Sequence, residues 1–251
     1  MKPSKVYILG FIFYLYPALA QNVPSWVYSP PKSNLFYYGV GISTRYSDNM
    51  ESVMYAYENA SAYISREIKI EVRSKYAWVS KSGSSESRQL LSTVIDSTIF
   101  QSVYDSAMII DKGFTHNDAF VLIAINKDLT AIKKNPKHYK GSFRKKNTLP
   151  KWTNQQPRKK GYYYGVGVCD ARNYLRDAWD RSADIARIEI ASQINTTHRY
   201  LYKDESRTDA ITSEFWVEDD VDQTLIGSPI VERYFDAEKR HYYTLIEYKI
   251  R

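Results

Sequence analysis

The pattern of apolar and polar positions predicts strands and helices that occur twice in the same order. Residues 35–43 are aromatic and β-branched and close on Gly-Val-Gly, which predicts a strand. Residues 48–68 place Val53, Ala56, Ala60, Ile64 and Glu67 or Ile68 at three- and four-residue steps, the mark of a helix with one apolar face. Ser47 or Asp48 is placed to cap it by accepting free backbone N–H groups. A second helix is predicted over 173–194, with Leu175, Ala178, Ser182, Ile185 and Ile188 or Glu189 on its face. Residues 71–80 predict a strand bounded by the Lys-Ser-Gly-Ser-Ser turn, matched later by 195–203. Residues 107–111 and 119–126 predict a closing pair of strands, matched by 229–234 and 242–250. The spacing over 89–103 fits either a helix or a twisted strand.

The recurrence is also visible residue by residue. Pro24, Trp26, Pro31, Tyr37, Tyr38, Gly39, Val40 and Gly41 return as Pro150, Trp152, Pro157, Tyr163, Tyr164, Gly165, Val166 and Gly167, always 126 positions on. Past that block Ala56, Glu67 and Ile68 line up with Ala178, Glu189 and Ile190 after a four-residue shortening. The unit is about 100 residues, the size of a domain rather than a solenoid repeat. The expected organisation is a first α+β domain over 22–128, a basic linker over 129–148 and a second α+β domain over 149–251. Each is expected to be an antiparallel sheet with one long helix packed on one face.

Residues 1–20 change that picture at one end. Lys2 and Lys5 precede an uncharged, mostly apolar run over 6–20 that closes on Ala18-Leu19-Ala20. This reads as a secretory signal cleaved between Ala20 and Gln21, since the run is shorter than a bilayer span of roughly 20 residues. Export, to the periplasm or the outer-membrane periphery, is therefore expected. Charge is uneven as well. Residues 133–160 hold eleven Lys or Arg and no Asp or Glu. Without Lys2 and Lys5 the formal charge falls from +7 to +5, and without those eleven the remainder is −6. The basic run reads either as a solvated linker or as a patch for anionic lipid, cell-wall polymer or an acidic protein. Nucleic acid is not expected as a partner of an exported chain.

No reactive constellation emerges. Cys169 is the sole cysteine, so it makes no internal disulfide and no structural zinc site. His116, His138, His198 and His241 fall in no ligand spacing. Gly39-Val40-Gly41 and its copy lack the third glycine of a dinucleotide loop and end an aromatic strand, so they read as a bulge or a close helix–strand approach. Residues 218–222 (EDDVD) lack the glycine and distal glutamate of a calcium loop and read as a solvated loop. Glu67 and Glu189 read as caps or solvated charges. No catalytic residue, metal site or cofactor is expected. The candidate partner contacts are Trp26, Trp152, Lys145, Lys146, Arg158, Lys159 and Lys160. Of these, both tryptophans are read first as ring-burial anchors at the start of each domain. The 23 tyrosines suit half-buried strands and contact surfaces.

Taken in order, Pro-x-Trp, Tyr37-Tyr38-Gly39-Val40-Gly41, a helix with Ala-Arg-Ile-Glu-Ile at 186–190, then 227–234 (GSPIVERY) and 242–246 (YYTLI) resemble the bacterial lipoprotein-20 family. The resemblance covers nearly all of the chain after residue 20, once per repeat. It implies small outer-membrane-associated proteins, some of them flagellar basal-disk or outer-ring components. The implied fold is a helix on an antiparallel sheet that assembles through sheets and helices, with no catalytic residues. Two departures stand out. No lipid-attachment cysteine follows the signal, and the unit occurs twice. The expected role is a non-catalytic structural or assembly protein of the envelope, in an oligomeric or motility-related complex. The alternative is a periplasmic binding module holding a small molecule, glycan or peptide between the domains.

Overall fold

The computed structural model describes residues 23–81, 84–129, 136, 148–195, 197–207 and 210–250. The expected signal and most of the expected basic linker, Lys145 and Lys146 included, lie outside the described residues.

In the first half, a short helix α1 (Ser25–Tyr28) leads into β1 (Phe36–Thr44) and the long helix α2 (Asn49–Ile68). Strands β2 (Lys69–Lys81) and β3 (Ser84–Ile95), helix α3 (Ser97–Ser106) and strands β4 (Met108–Phe114) and β5 (Asp118–Asn126) follow. The second half opens on a 3-10 turn (Lys151–Thr153), then β6 (Tyr162–Asp170), α4 (Leu175–Ile194), β7 (Thr197–Arg207), β8 (Ala210–Ile226), β9 (Ile230–Asp236) and β10 (His241–Lys249).

Each half builds a three-stranded antiparallel sheet in the same order, β1-β5-β4 and β6-β10-β9, with its long helix packed against it. The fold class is α+β. β5 shows why the sequence specifies this arrangement. It is a near-continuous apolar run because both of its faces are covered. Val121, Ile123 and Ile125 face the core that holds Ala56, Ala60 and Ile64 of α2, and Phe120 and Leu122 join Trp26, Val27, Val40 and Ile42 on the other side. Asp48 starts α2 by accepting from the Met50 N–H, and the Lys69 N–H closes it on the Ser65 carbonyl.

A third sheet joins the halves. Its order is β3-β2-β8-β7, all antiparallel, with β2 and β3 from the first half and β8 and β7 from the second. The cores also merge. One cluster holds Val53, Ala56 and Ile64 together with Ala186, Ile190, Ile230 and Ile246, and Trp179 of α4 sits in the first half's aromatic cluster.

Three expectations need correction. The four-residue shortening does not fall before the helices. Both ends of α2 and α4 are 126 apart, so Ala56 corresponds to Ser182, Ala60 to Ala186 and Ile64 to Ile190. Glu67 therefore corresponds to Gln193, and Glu189 to Tyr63. The shortening falls at α3. The first half ends β3 at Ile95, and Asp96 caps a new helix by accepting from the Thr98 and Ile99 N–H groups. The second half instead runs β8 on to Ile226. The ambiguous stretch 89–103 is thus a strand followed by a helix. Third, residues 218–222 are no loop; they lie within β8, where Lys75 pairs with Asp220 and Arg73 with Asp222 across the ladder.

Candidate functional site

The repeated glycines are packing positions. A Cβ on Gly39 would stand 2.8 Å from Ile64 Cγ1, and one on Gly41 would stand 2.6 Å from the Ala60 nitrogen. Gly165 meets Ile190 Cγ1 at 3.0 Å and Gly167 meets the Ala186 nitrogen at 2.7 Å, the same helix positions in the other half. The strand touches the helix backbone, and no loop forms that would cradle a phosphate.

The tryptophans are equally matched. Trp26 is 2% exposed and its Nε1–H donates to Asp111 Oδ2 at 3.0 Å; Trp152 is 8% exposed and donates to Glu232 Oε2 at 3.0 Å. Both rings are committed to burial and leave little surface to a partner. These bonds also fix the register of the last hairpin. Asp111 pairs with Leu122 and Glu232 with Leu245, each beside a bulge, so Ile109 corresponds to Ile230 and Met108 to Pro229.

That correspondence locates two grooves. The first is a cleft of about 360 Å³ between the halves. Its walls are the 30–34 loop, Phe36 and Tyr38 of β1, Tyr63 and Glu67 of α2, and Lys127; the second half closes it with Pro229, Ile230 and Glu247. Lys32 Nζ reaches Glu247 Oε1 at 3.5 Å. The Gly227 and Ser228 N–H groups donate to the Glu67 carbonyl at 3.0 Å, so the second half caps the end of α2. Burial pushes the Glu67 carboxyl up to about 7 against the pull of Lys127, Arg187 and Lys32.

The second groove, about 390 Å³, lies at the matching place in the second half. Gln156, Pro157, Arg158, Lys159 and Lys160 replace the 30–34 loop, Tyr162 and Tyr164 replace Phe36 and Tyr38, and Gln193 replaces Glu67. Lys159 Nζ lies 3.9 Å from the centre of the Tyr162 ring, and Gln193 Nε2 donates to the Tyr164 carbonyl at 2.9 Å. Arg158, Lys159 and Lys160 are exposed. The structure therefore brings these three candidates together and sets them apart from Trp26 and from the buried Trp152.

Behind the first cleft runs a polar seam between the halves. The Arg233 guanidinium is buried, lies 5.3 Å from the Tyr63 ring centre and 5.5 Å from that of Trp179, and donates to the Val27 carbonyl at 3.1 Å. Arg66 of α2 faces Asp180 of α4 at 3.7 Å. Buried Arg187 meets Asp184 at 3.5 Å, and burial raises the Asp184 carboxyl. Sequence reading missed this seam because its members lie on different elements and repeat in neither half.

The remaining chemistry-bearing residues have local roles. Cys169 is buried, with Arg172 Nε donating to Sγ at 3.3 Å, and corresponds to Ser43, whose hydroxyl donates to the Ser52 carbonyl at 2.7 Å. His241 Nε2 lies 3.1 Å from Asp170 Oδ1. Among the described residues no group of three His, Cys, Asp or Glu is placed to hold a metal ion, and no helix is long and apolar enough to cross a membrane.

Residues 150–249 match the family model of the LPP20 lipoprotein. The second half is therefore similar to LPP20 lipoproteins, in line with the motifs read from the sequence. No curated protein and no solved structure matches the chain.

Proposed function

We propose that this chain is a non-catalytic structural or assembly protein of the bacterial cell envelope, exported by its first twenty residues and released between Ala20 and Gln21 into the periplasm or the outer-membrane periphery. The two halves are read as copies of one unit, and the complex they serve as an oligomeric one, of the kind used in motility. The observation that carries this reading is the use of the repeated residues. The glycines admit a helix, the tryptophans tie the entrance of each half to its last hairpin, and Cys169 and Ser43 fill equivalent packing positions. What distinguishes the halves is surface: a cleft bordered by both halves in one and a groove lined by exposed basic residues in the other. Arg158, Lys159 and Lys160 give that groove an attraction for an acidic partner, anionic lipid or cell-wall polymer.

The test is to express the chain with its leader in a Gram-negative host, fractionate the cells, and combine intact mass with light scattering after size exclusion. The expected result is an envelope-fraction protein starting at Gln21 and larger than one chain. A cytoplasmic, uncleaved monomer that crosslinks to no envelope component overturns the reading.

A second reading is favoured by the cleft itself. Tyr38, Tyr63, Glu67, Lys32 and Lys127 surround a space of small-molecule size between the halves. A thermal-shift screen of glycans, peptides and metabolites separates the two; a hit abolished by Tyr63→Ala selects the binding module.

A further inference from the structure

The contact between the two halves is one-sided. The first half offers its groove and the β2 edge; the second offers Pro229, Ile230 and the β8 edge. Beside the seam of Arg66, Asp180, Trp179 and Arg233, which is not repeated, each half therefore keeps the groove, corner or strand edge that its neighbour uses. The second half retains an open groove over 156–164 and Gln193, and the β7 edge, which corresponds to β2. The first half retains Met108 and Ile109, the counterparts of Pro229 and Ile230, and the β3 edge, which corresponds to β8.

The contrast in burial is large. Ile230 is 3% exposed inside the chain, whereas Ile109 is 45% exposed and Met108 44%. β3 and β7 are the two outer strands of the shared sheet and run for 12 and 11 residues. Among the described residues no further strand pairs with them, and edges of that length are templates for another strand.

We propose that a second copy of this chain docks here head to tail, the groove and β7 edge of one copy receiving the Met108–Ile109 corner and β3 edge of the next. This rests on the assembly reading above and gives it a polarity. The contact continues the one already made within the chain. Because the joined patches differ, it is a heterologous interface, which yields a ring if the rotation closes and a filament if it does not.

The register follows from the ladder within the chain. Ser74 pairs with Val221 and Lys81 with Glu214, which correspond to Tyr200 with Ile95 and Arg207 with Arg88 between copies. This ladder stops at Ile95, where α3 begins and turns back onto α2, with the Tyr57 hydroxyl donating to the Tyr104 and Ala107 carbonyls. The contact between copies is thus shorter than the β2–β8 pairing and reversible by comparison.

Two single variants of the full mature chain test the polarity. Ile109→Glu puts a charge on the exposed corner, and Gln193→Trp fills the open groove; both positions are exposed, and circular dichroism and thermal melts check that each variant folds. The expected result is that the wild type forms species larger than a dimer in sedimentation velocity as concentration rises. Each variant alone is monomeric, and an equal mixture gives a dimer and nothing larger, since one good groove meets one good corner. Three outcomes overturn the proposal: a wild type monomeric at every concentration, folded variants that assemble like the wild type, or a mixture that stays monomeric. A wild type that assembles while the variants do the same leaves the assembly reading intact and removes only this interface.

Discussion

At Gly41 the backbone of a strand lies against the backbone of a helix, and the space a methyl group needs is already taken by the Ala56 carbonyl and the Ala60 nitrogen. Gly41→Ala is expected to destabilise the chain by about 2–3 kcal/mol through overpacking. Gly161 is a useful contrast. It sits at φ +80° with nothing within 4 Å of an added Cβ, so Gly161→Ala carries only backbone strain of about 1–2 kcal/mol. Urea midpoints of the two variants should fall in that order. The indole bonds are testable at the same scale. Trp26→Phe removes the donor to Asp111 and part of the buried ring, with an expected cost of about 2–3 kcal/mol, of which about 1 kcal/mol is the bond. A double-mutant cycle with Asp111→Ala, which removes the acceptor, should return a coupling of similar size to the bond. Glu67 adds a dependence on pH. Its folded value of about 7 lies above its ordinary 4.5, so the folded state binds the extra proton between those values. Stability therefore falls as pH rises from about 4.5 through 7, and Glu67→Gln should flatten that decline. Melting temperatures of both proteins across this range decide it; parallel curves would mean that Glu67 carries no such proton.

Elements with a local cause were legible in the sequence. β1, α2, α4 and β5 follow from apolar period, caps and glycines, and fall within two residues of their predicted limits. The position of the shortening was not legible. Alanines recur on any helix face, so Ala56 aligned with Ala178 as readily as with Ser182, which stands at the same position of its helix and whose hydroxyl lies 2.6 Å from Thr244 Oγ1. The change from strand to helix at Asp96 rests on a cap within Ser, Thr, Val and Ile residues that suit either state. The β2–β8 pairing is a choice between distant strands, which no local pattern encodes. Arg158, Lys159 and Lys160 stood out by charge alone, whereas the groove they line exists only once β6 and α4 are in place. Amide exchange should rank the strands accordingly. β5, central and buried on both faces, is expected to exchange slowest, and the β3 and β7 edges fastest at low concentration. Protection of those two edges, and not of β5, should rise as the protein is concentrated.

At the scale of the molecule, contacts among the described residues hold the halves together. A shared four-stranded sheet, a core cluster drawing on both helices, and the buried Arg233 between Tyr63 and Trp179 all cross the boundary between 22–128 and 149–251. Separating the halves would open the β2–β8 ladder and expose Ile230 and Trp179, both almost fully buried in the intact chain. It would also break the bond from Arg233 to the Val27 carbonyl and its contact with the Tyr63 ring, both of which cross the boundary. Joining the halves in one chain raises their effective concentration, a benefit that grows weaker the longer the connection. A specific protease site inserted within 137–147 and cut in the folded protein should therefore leave both fragments eluting together, with one unfolding transition seen alike by far-UV circular dichroism and tryptophan fluorescence. Arg233→Ala in the cut protein should promote dissociation of the fragments. Fragments that separate on cutting without that substitution would mean that the halves are independent domains joined by a tether, and the same result would remove the internal template for head-to-tail docking.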